Sequence, residues 1–478
     1  MRSFMPVAAL AALTSAILPS PGNAADEIAT LRAEFETLKI EYADRVTALE
    51  ARIEELESAS AGKADSGSPP RNLVDGQNSP SDPQIAGAQE APPSTSRSTA
   101  SAFNPAISLI LGGTFVNTSE DPRSWRLSGF TPSDGEVGPG ERSFNLDESE
   151  LAVSANVDPY FTGTMIAALS AEDEIEVEEA YVRTLALPSG FTAKAGRFFS
   201  GLGYLNEVHR HAWDFIDQPF AYQVFFGGQY TQNGVQVKWL APTDLFIELG
   251  AESGNGETFP ATRRNATNGG TFFVHFGGDL GDSTSWRAGA SYMDVRAADR
   301  AYEDSNQFGS LVVDSFTGKS RTWAVDAVLK WSPYGDLARR QLKVQGEYMH
   351  RREDGQLAFD VEALNLSDAY RSEQSGWYLQ TVFQFLPRWR VGLRYDALDS
   401  GSPNVGLVSS GQLPPDAFPL LRSSNPERIS LMFDWNPSEF SRLRAQYDWD
   451  DARAEGDRDR IFRLQYIFGI GAHGAHKY

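Results

Sequence analysis

Cysteine is absent from this 478-residue chain. That excludes disulfides, thiolate metal sites and cysteine nucleophiles, and it is compatible with a periplasmic route. Long apolar runs are missing as well. No internal stretch reaches the roughly 18 apolar residues that a membrane-crossing helix needs, so a helical membrane protein is excluded. Positive charge is in short supply: 42 Lys and Arg stand against 64 Asp and Glu, a formal net charge of −22. General nucleic-acid binding is therefore not expected. No glycine-rich phosphate loop leads into a helix, and no Gly-x-Ser-x-Gly elbow occurs. The histidines on expected strands, His275 and His350, have no clear nucleophile partner. Neither an enzyme nor a cofactor is expected.

Aromatics make up 12% of the chain and glycines number 42, a composition that suits a turn-rich β protein. Four segments follow one another. Residues 1–24 read as a secretory signal, with Arg2, an apolar core from Met5 to Leu18 and the small-residue cleavage site Gly22-Asn23-Ala24. Residues 25–58 read as a coiled-coil helix. Ile28, Leu31, Phe35, Leu38 and Tyr42 form an apolar stripe that resumes at Val46, Leu49, Ile53 and Leu56 after a stutter. Such a stripe cannot be buried by one helix alone, so self-association is expected, and Phe and Tyr at core positions favour three strands. Residues 59–102 hold Ser, Pro, Ala and Gly with almost no large apolar residue, the composition of a disordered linker.

From residue 103 to 478 the pattern becomes alternating strands separated by turn clusters. The strands fall near 105–117, 143–157, 160–171, 175–187, 190–199, 233–241, 244–252, 271–280, 284–295, 321–332, 340–351, 376–386, 388–398, 427–436, 439–450 and 459–470. Short connections alternate with long ones, the long ones covering 118–142, 200–232, 253–270, 296–320, 352–375, 399–426 and 451–458. The last strand shows the underlying rule. Phe462, Leu464, Tyr466, Phe468 and Ile470 share one face, with Arg463 and Gln465 on the other, and the terminal Tyr478 keeps the apolar parity. The same alternation sets Trp389, Val391, Leu393 and Tyr395 against Arg388, Arg390 and Arg394. An arginine facing lipid at mid-membrane costs about 2–4 kcal/mol, so the apolar faces look outward to lipid and the arginines inward. By parity the interior carries Lys330, Lys343, Arg388, Arg390, Arg394, Arg428, Arg442, Arg444 and Arg463, with the acids Asp326, Glu347, Asp396, Asp434 and Asp448.

On these residues, segment 103–478 resembles the sixteen-stranded porins of the bacterial outer membrane. The preceding helix and linker are similar to porins that carry a periplasmic coiled coil, including the phosphate-selective type. The fold class expected is an all-β transmembrane barrel of about 16 antiparallel strands behind an N-terminal coiled coil and linker. The resemblance implies an outer-membrane channel for small hydrophilic solutes or ions, embedded in outer-membrane lipid. It implies a homotrimer joined through the coiled coil and the bland early strands, with both termini in the periplasm.

The loop 200–232 is expected to fold inward as the constriction, since Leu202, Tyr204, Leu205, Trp213, Phe215 and Ile216 would be costly on an outer surface. Its acids Glu207, Asp214 and Asp217 are expected to face the arginine wall. Glu207, His209 and His211 form a candidate metal set of imidazole and carboxylate donors, and pairing with lumen charges is the competing reading. Alternatives to the passive channel are selective uptake of a zinc-type ion or metal complex, and a structural tether of the outer membrane.

Overall fold

Residues whose side chains alternate between apolar and polar form strands that stand between two unlike environments. In the computed structural model this holds around a full circle. The residues described are 105–133, 137–169, 175–262, 267–336, 339–453 and 458–471. The expected signal, coiled coil and linker, and the terminal Tyr478, lie outside them. The strands are β1 (Ala106–Thr118), β2 (Ser143–Asn156), β3 (Phe161–Leu169), β4 (Ile175–Thr184), β5 (Phe191–Phe199), β6 (Thr231–Leu240), β7 (Phe246–Gly254), β8 (Gly269–Asp279), β9 (Thr284–Ser305), β10 (Leu311–Trp331), β11 (Gln341–Phe359), β12 (Leu366–Leu386), β13 (Trp389–Asp399), the two-residue β14 (Asn404–Val405), β15 (Glu427–Ser438), β16 (Ser441–Asp451) and β17 (Asp459–Gly471). Every pairing is antiparallel. β1 pairs with both β2 and β17, and β13 pairs directly with β15, so sixteen strands close on themselves while β14 sits beside β12. Closure leaves no open sheet edge around the ring itself; above it the taller β9 and β12 extend past their neighbours β8 and β13.

The outer face is apolar. On β15, Ile429, Leu431, Phe433 and Trp435 are exposed, whereas Arg428, Ser430, Met432 and Asp434 between them are buried inside. Aromatic side chains collect at two levels. Trp389 stacks on Trp435 at 5.5 Å near the end with short turns, while Trp377 lies 5.3 Å from Tyr395 and Trp323 5.4 Å from Tyr348 toward the other end. Trp323 and Trp331 both point outward from β10 and stand eight residues apart. At about 3.3 Å per residue and a tilt of about 40°, that is about 20 Å of height, close to the apolar band of an outer-membrane barrel.

The wall is uneven in height. β9, β10 and β12 have 22, 21 and 21 residues, whereas β3 and β5 have 9 each. The expected loops 296–320 and 352–375 are therefore mostly strand, with turns only at 306–310 and 360–365. Apolar-polar alternation arises because one face meets lipid. Beyond the lipid both faces are free to be polar, as in Asp299, Glu303, Arg352 and Glu373, and the period-two signal disappears while the backbone ladder continues. The segment following β14 packs Leu407, Phe418, Leu420 and Leu421 against Tyr302, Phe316, Leu357, Phe359 and Tyr370 of these tall hairpins.

Two irregularities lie on the low side. Opposite Leu111, β2 carries two residues, Glu148 and Ser149, and opposite the step from Ile166 to Ala167, β4 carries the extra residue Glu178. These are β-bulges, which re-aim side chains and break strict alternation.

The outward face yields a direct test. Leu431→Arg, at a position 44% exposed on the apolar belt, is expected to lower folding stability in lipid by about 2–4 kcal/mol, read by denaturant titration of refolding into vesicles. The inward-facing Ser430→Thr on the same strand is expected to cost well under half of that.

Candidate functional site: the inward loop and the charged walls

β5 ends at Phe199 and β6 begins at Thr231, and the connection between them lies inside the barrel. Its neck is held by one side chain. Asn206 donates from Nδ2 to the Ser200 carbonyl at 2.8 Å and the Tyr230 carbonyl at 2.9 Å, and its Oδ1 accepts from the Tyr230 N–H at 2.7 Å. Glu252 fixes the descending chain by accepting from Ser200 Oγ at 2.6 Å and from the Gly201 N–H at 2.8 Å. Gly203 has φ +70° and lies so close to the Glu347 carboxylate and the Tyr222 hydroxyl that a Cβ there would collide with both. Glu347 then accepts four bonds, from the N–H groups of Tyr204 and Leu205 at 3.0 Å each and from the hydroxyls of Tyr222 and Tyr378 at 2.9 and 2.6 Å.

The loop returns through a short helix, Phe220–Phe226, closed by Gly227 in the left-handed region at φ +68°. All seven helix residues are buried. The helix's apolar residues form a core inside the barrel with Leu202, Leu205 and Trp213 of the same loop, Met293, Met349 and Tyr378 of the tall wall, Leu398 of β13, and Leu127 and Phe130 of the first long connection. The inward folding expected from this loop's apolar content is thus present, with a packed core as its partner.

Charge sets the seating of the loop on either side. Asp217 meets three wall arginines: Arg394 at 2.7 Å, Arg428 at 2.7 Å and Arg463 at 3.3 Å. Asp214 meets Lys343 at 2.9 Å and Arg390 at 3.1 Å. Arg444 donates to the Trp213 carbonyl at 2.7 Å, and Arg442 to the carbonyls of His211 and Trp213 at 3.1 and 3.2 Å. Wall acids complete the seam: Asp396 joins Arg394 and Arg428, Asp434 joins Arg390, Arg442 and Arg444, and Asp448 joins Arg463. Burial pushes the Asp214 carboxyl up, but Lys343 and Arg390 outweigh it and hold the group below the usual carboxylate range. For Asp217 burial is likewise outweighed, by Arg428, Arg463 and Arg394.

The opposite side is a mirror in sign. His211 Nδ1 lies 2.6 Å from Glu150 of β2, and Arg210 lies 3.1 Å from Asp147 and 3.8 Å from Glu148. His209 Nε2 lies 3.1 Å from Glu179 of β4, with Glu178 and Glu150 facing its Nδ1 at 3.4 and 3.6 Å. Burial pulls the His209 imidazole down, but Glu178, Glu179 and Glu150 raise it well above its ordinary value.

Parity aims the expected basic residues inward with one exception. Arg388 stands exposed in the tight turn between β12 and β13, with φ +72°, and donates to the Pro437 carbonyl at 2.7 Å. Arg394, Arg428, Arg444 and Arg463 face inward yet are at most 2% exposed, because the loop covers them. Half-buried bases are Lys330, Lys343, Arg390 and Arg442. Among the loop acids, Asp214 and Asp217 reach the arginine wall, but Glu207 turns away to Lys238 of β6 at 2.9 Å. Glu207 is thereby separated from the donor set expected with His209 and His211, whose carboxylate neighbours are Glu150, Glu178 and Glu179. Those three were not legible from alternation, because bulges set consecutive acids on the inner side. Their one signal is the density of acids in Asp147-Glu148-Ser149-Glu150 and Glu176-Val177-Glu178-Glu179.

No family model matches the chain. An uncharacterized protein of Aquifex aeolicus (strain VF5) is 32% identical over 403 residues, covering 79% of this chain and 80% of that protein. Among solved structures, a loop-L8 deletion form of OmpT, an outer membrane protein of Vibrio cholerae, aligns with TM-score 0.48 at 10% identity over 77% of this chain and all (100%) of that one. An anion-selective porin from Comamonas acidovorans aligns with TM-score 0.45 at 10% identity over 77% of this chain and 99% of that one. The outer membrane channel DcaP of Acinetobacter baumannii aligns with TM-score 0.43 at 12% identity, over 77% and 96%.

Asp217→Asn leaves three buried guanidinium groups short of one carboxylate. It is expected to destabilise the loop seat by about 3–5 kcal/mol, read as faster hydrogen exchange at loop amides in the purified barrel. The pH dependence follows from the depressed carboxyls of Asp214 and Asp217. Their contribution is full above the unfolded aspartate pKa of about 3.9 and is lost only as pH falls through the lower folded values. Protection of residues 213–218 is therefore expected to be unchanged between about pH 7 and pH 5.

Proposed function

The chain belongs to the same family as the Aquifex aeolicus protein, and from its architecture we propose that it is a channel of the bacterial outer membrane. It passes small hydrophilic solutes or ions and is constricted by the loop between β5 and β6. The observation that carries this reading is the pairing of an apolar, aromatic-rimmed exterior with an ionised interior that a long connection enters from one end. The outward band supports lipid as the surrounding medium. The apolar residues Leu151, Met165, Ile175 and Val177 on the low wall support a homotrimer in which those strands meet their copies. On the same reading the expected coiled coil of residues 25–58 would add a second trimer contact, with both termini in the periplasm. Removal of residues 1–24 as a signal belongs to the same route.

Ions in a confined passage respond to charges within about a Debye length, roughly 8 Å at physiological salt, and not to the whole-chain charge of −22. Of the expected lumen bases Lys330, Lys343, Arg390 and Arg442 keep access to water, and Lys343, Arg390, Arg442 and Arg444 share the two carboxylates of Asp214 and Asp434, so positive charge remains there. Low-dielectric walls focus their field. Weak anion preference follows. In planar bilayers with a salt gradient, the parent protein is expected to show a small conductance and a reversal potential on the anion side. Arg390→Ala with Arg442→Ala is expected to move it toward cations. Absence of conductance from correctly inserted protein, or strong cation preference untouched by the double substitution, would overturn the reading.

A further inference from the structure

We propose that His209, Glu150 and Glu178 form a binding site for a divalent transition-metal ion of the zinc type, which staples the constriction loop to the low wall. The three residues come from the loop, β2 and β4, and one donor atom from each lies within 4.8 Å of the other two. The individual separations carry the argument. His209 Nδ1 stands 3.4 Å from Glu178 Oε2 and 3.6 Å from Glu150 Oε2. Both exceed a good N–H···O bond, which ends near about 3.2 Å. Both match the edge of a tetrahedron whose centre is about 2.0–2.2 Å from its corners, the length of zinc bonds to imidazole and carboxylate. The atoms concerned are also unsatisfied: His209 Nδ1 and Glu178 Oε2 are buried without a hydrogen bond. Buried polar atoms are rarely left so, and an ion is one of the few occupants that would serve two of them at once.

The surroundings suit an ion. Glu179 lies 3.1 Å from Nε2 of His209 and holds a proton there, so an ion that displaced the proton from Nδ1 would meet a lone pair directed at Glu150 and Glu178. A carboxylate behind a ligating imidazole is the usual arrangement at zinc sites. Glu150 is held in turn by His211 at 2.6 Å from its other oxygen. Arg210 answers the charges of Asp147 and Glu148 beside the site, so the ion itself faces two carboxylates, which equal its charge. Three protein ligands leave a fourth position for water or for a passing anion. The bulge residue Glu178 is what makes the set possible, because strict alternation would send it or Glu179 outward.

The proposal rests on the seating of the loop and not on the channel reading, and binding is measured without reference to conductance. Zinc chloride is titrated calorimetrically into full-length protein in detergent, purified without a histidine tag. One ion per chain is expected for the parent and for Glu207→Gln, since Glu207 is engaged by Lys238. Affinity is expected to fall at least tenfold in Glu178→Gln, which keeps side-chain shape, and further in His209→Ala. X-ray absorption of the zinc-loaded parent needs no variant: it is expected to show an N/O shell at about 2.0–2.1 Å with imidazole scattering. No binding by the parent, equal binding in Glu178→Gln and His209→Ala, or a shell without imidazole would each overturn the assignment.

Discussion

The loop between β5 and β6 sits where it does because its charge order matches the barrel wall. Residues 209–211 are basic or protonatable and face the acids of β2 and β4; residues 214–217 are acidic at both ends and face the bases of β11, β13, β15 and β17. Reversing the loop's direction would set like charges against each other on both sides. In a low-dielectric interior such contacts cost several kcal/mol, so the register of the loop is specified electrostatically before any apolar contact is counted.

Ion pairs alone are weak support for stability, since desolvation offsets much of their attraction. The apolar core inside the barrel supplies the complement. Phe220, Tyr222, Phe225 and Phe226 are buried against the tall wall, and Arg428 and Arg394 stack over Phe220 and Phe215 at 4.1 and 4.7 Å. Hydrophobic burial holds the returning helix, charge aligns the descending arm, and Asn206 ties the two at the neck. The descending arm is thus attached through ion pairs, while the helix is fixed by packing.

Much of the barrel was legible because lipid imposes a period of two. Wherever a strand crosses the apolar belt, one face must be greasy and the other free to be charged, and Phe462 to Tyr466 shows this residue by residue. The signal fails in two places for different reasons. Above the belt, β9 to β12 continue without apolar-polar alternation of residue type, since no face there meets lipid. On the low side, bulges at Glu148 and Glu178 interrupt alternation just where acids are gathered. The inward arginines were legible as inward, but not as covered, because parity gives direction and says nothing of what lies opposite.

The sequence by itself determined the strands where they cross the belt, the outward apolar face, the inward basic wall and the apolar loop that had to be buried, each of them a local property of neighbouring residues. Only the tertiary structure decided which acid meets which base. Glu207 and His209 are two residues apart, yet one joins Lys238 on β6 and the other joins Glu179 on β4. A loop carries no period that ties sequence spacing to direction. Its side chains are allotted by the walls it passes between, and those walls exist only once strands distant in sequence have closed into a barrel.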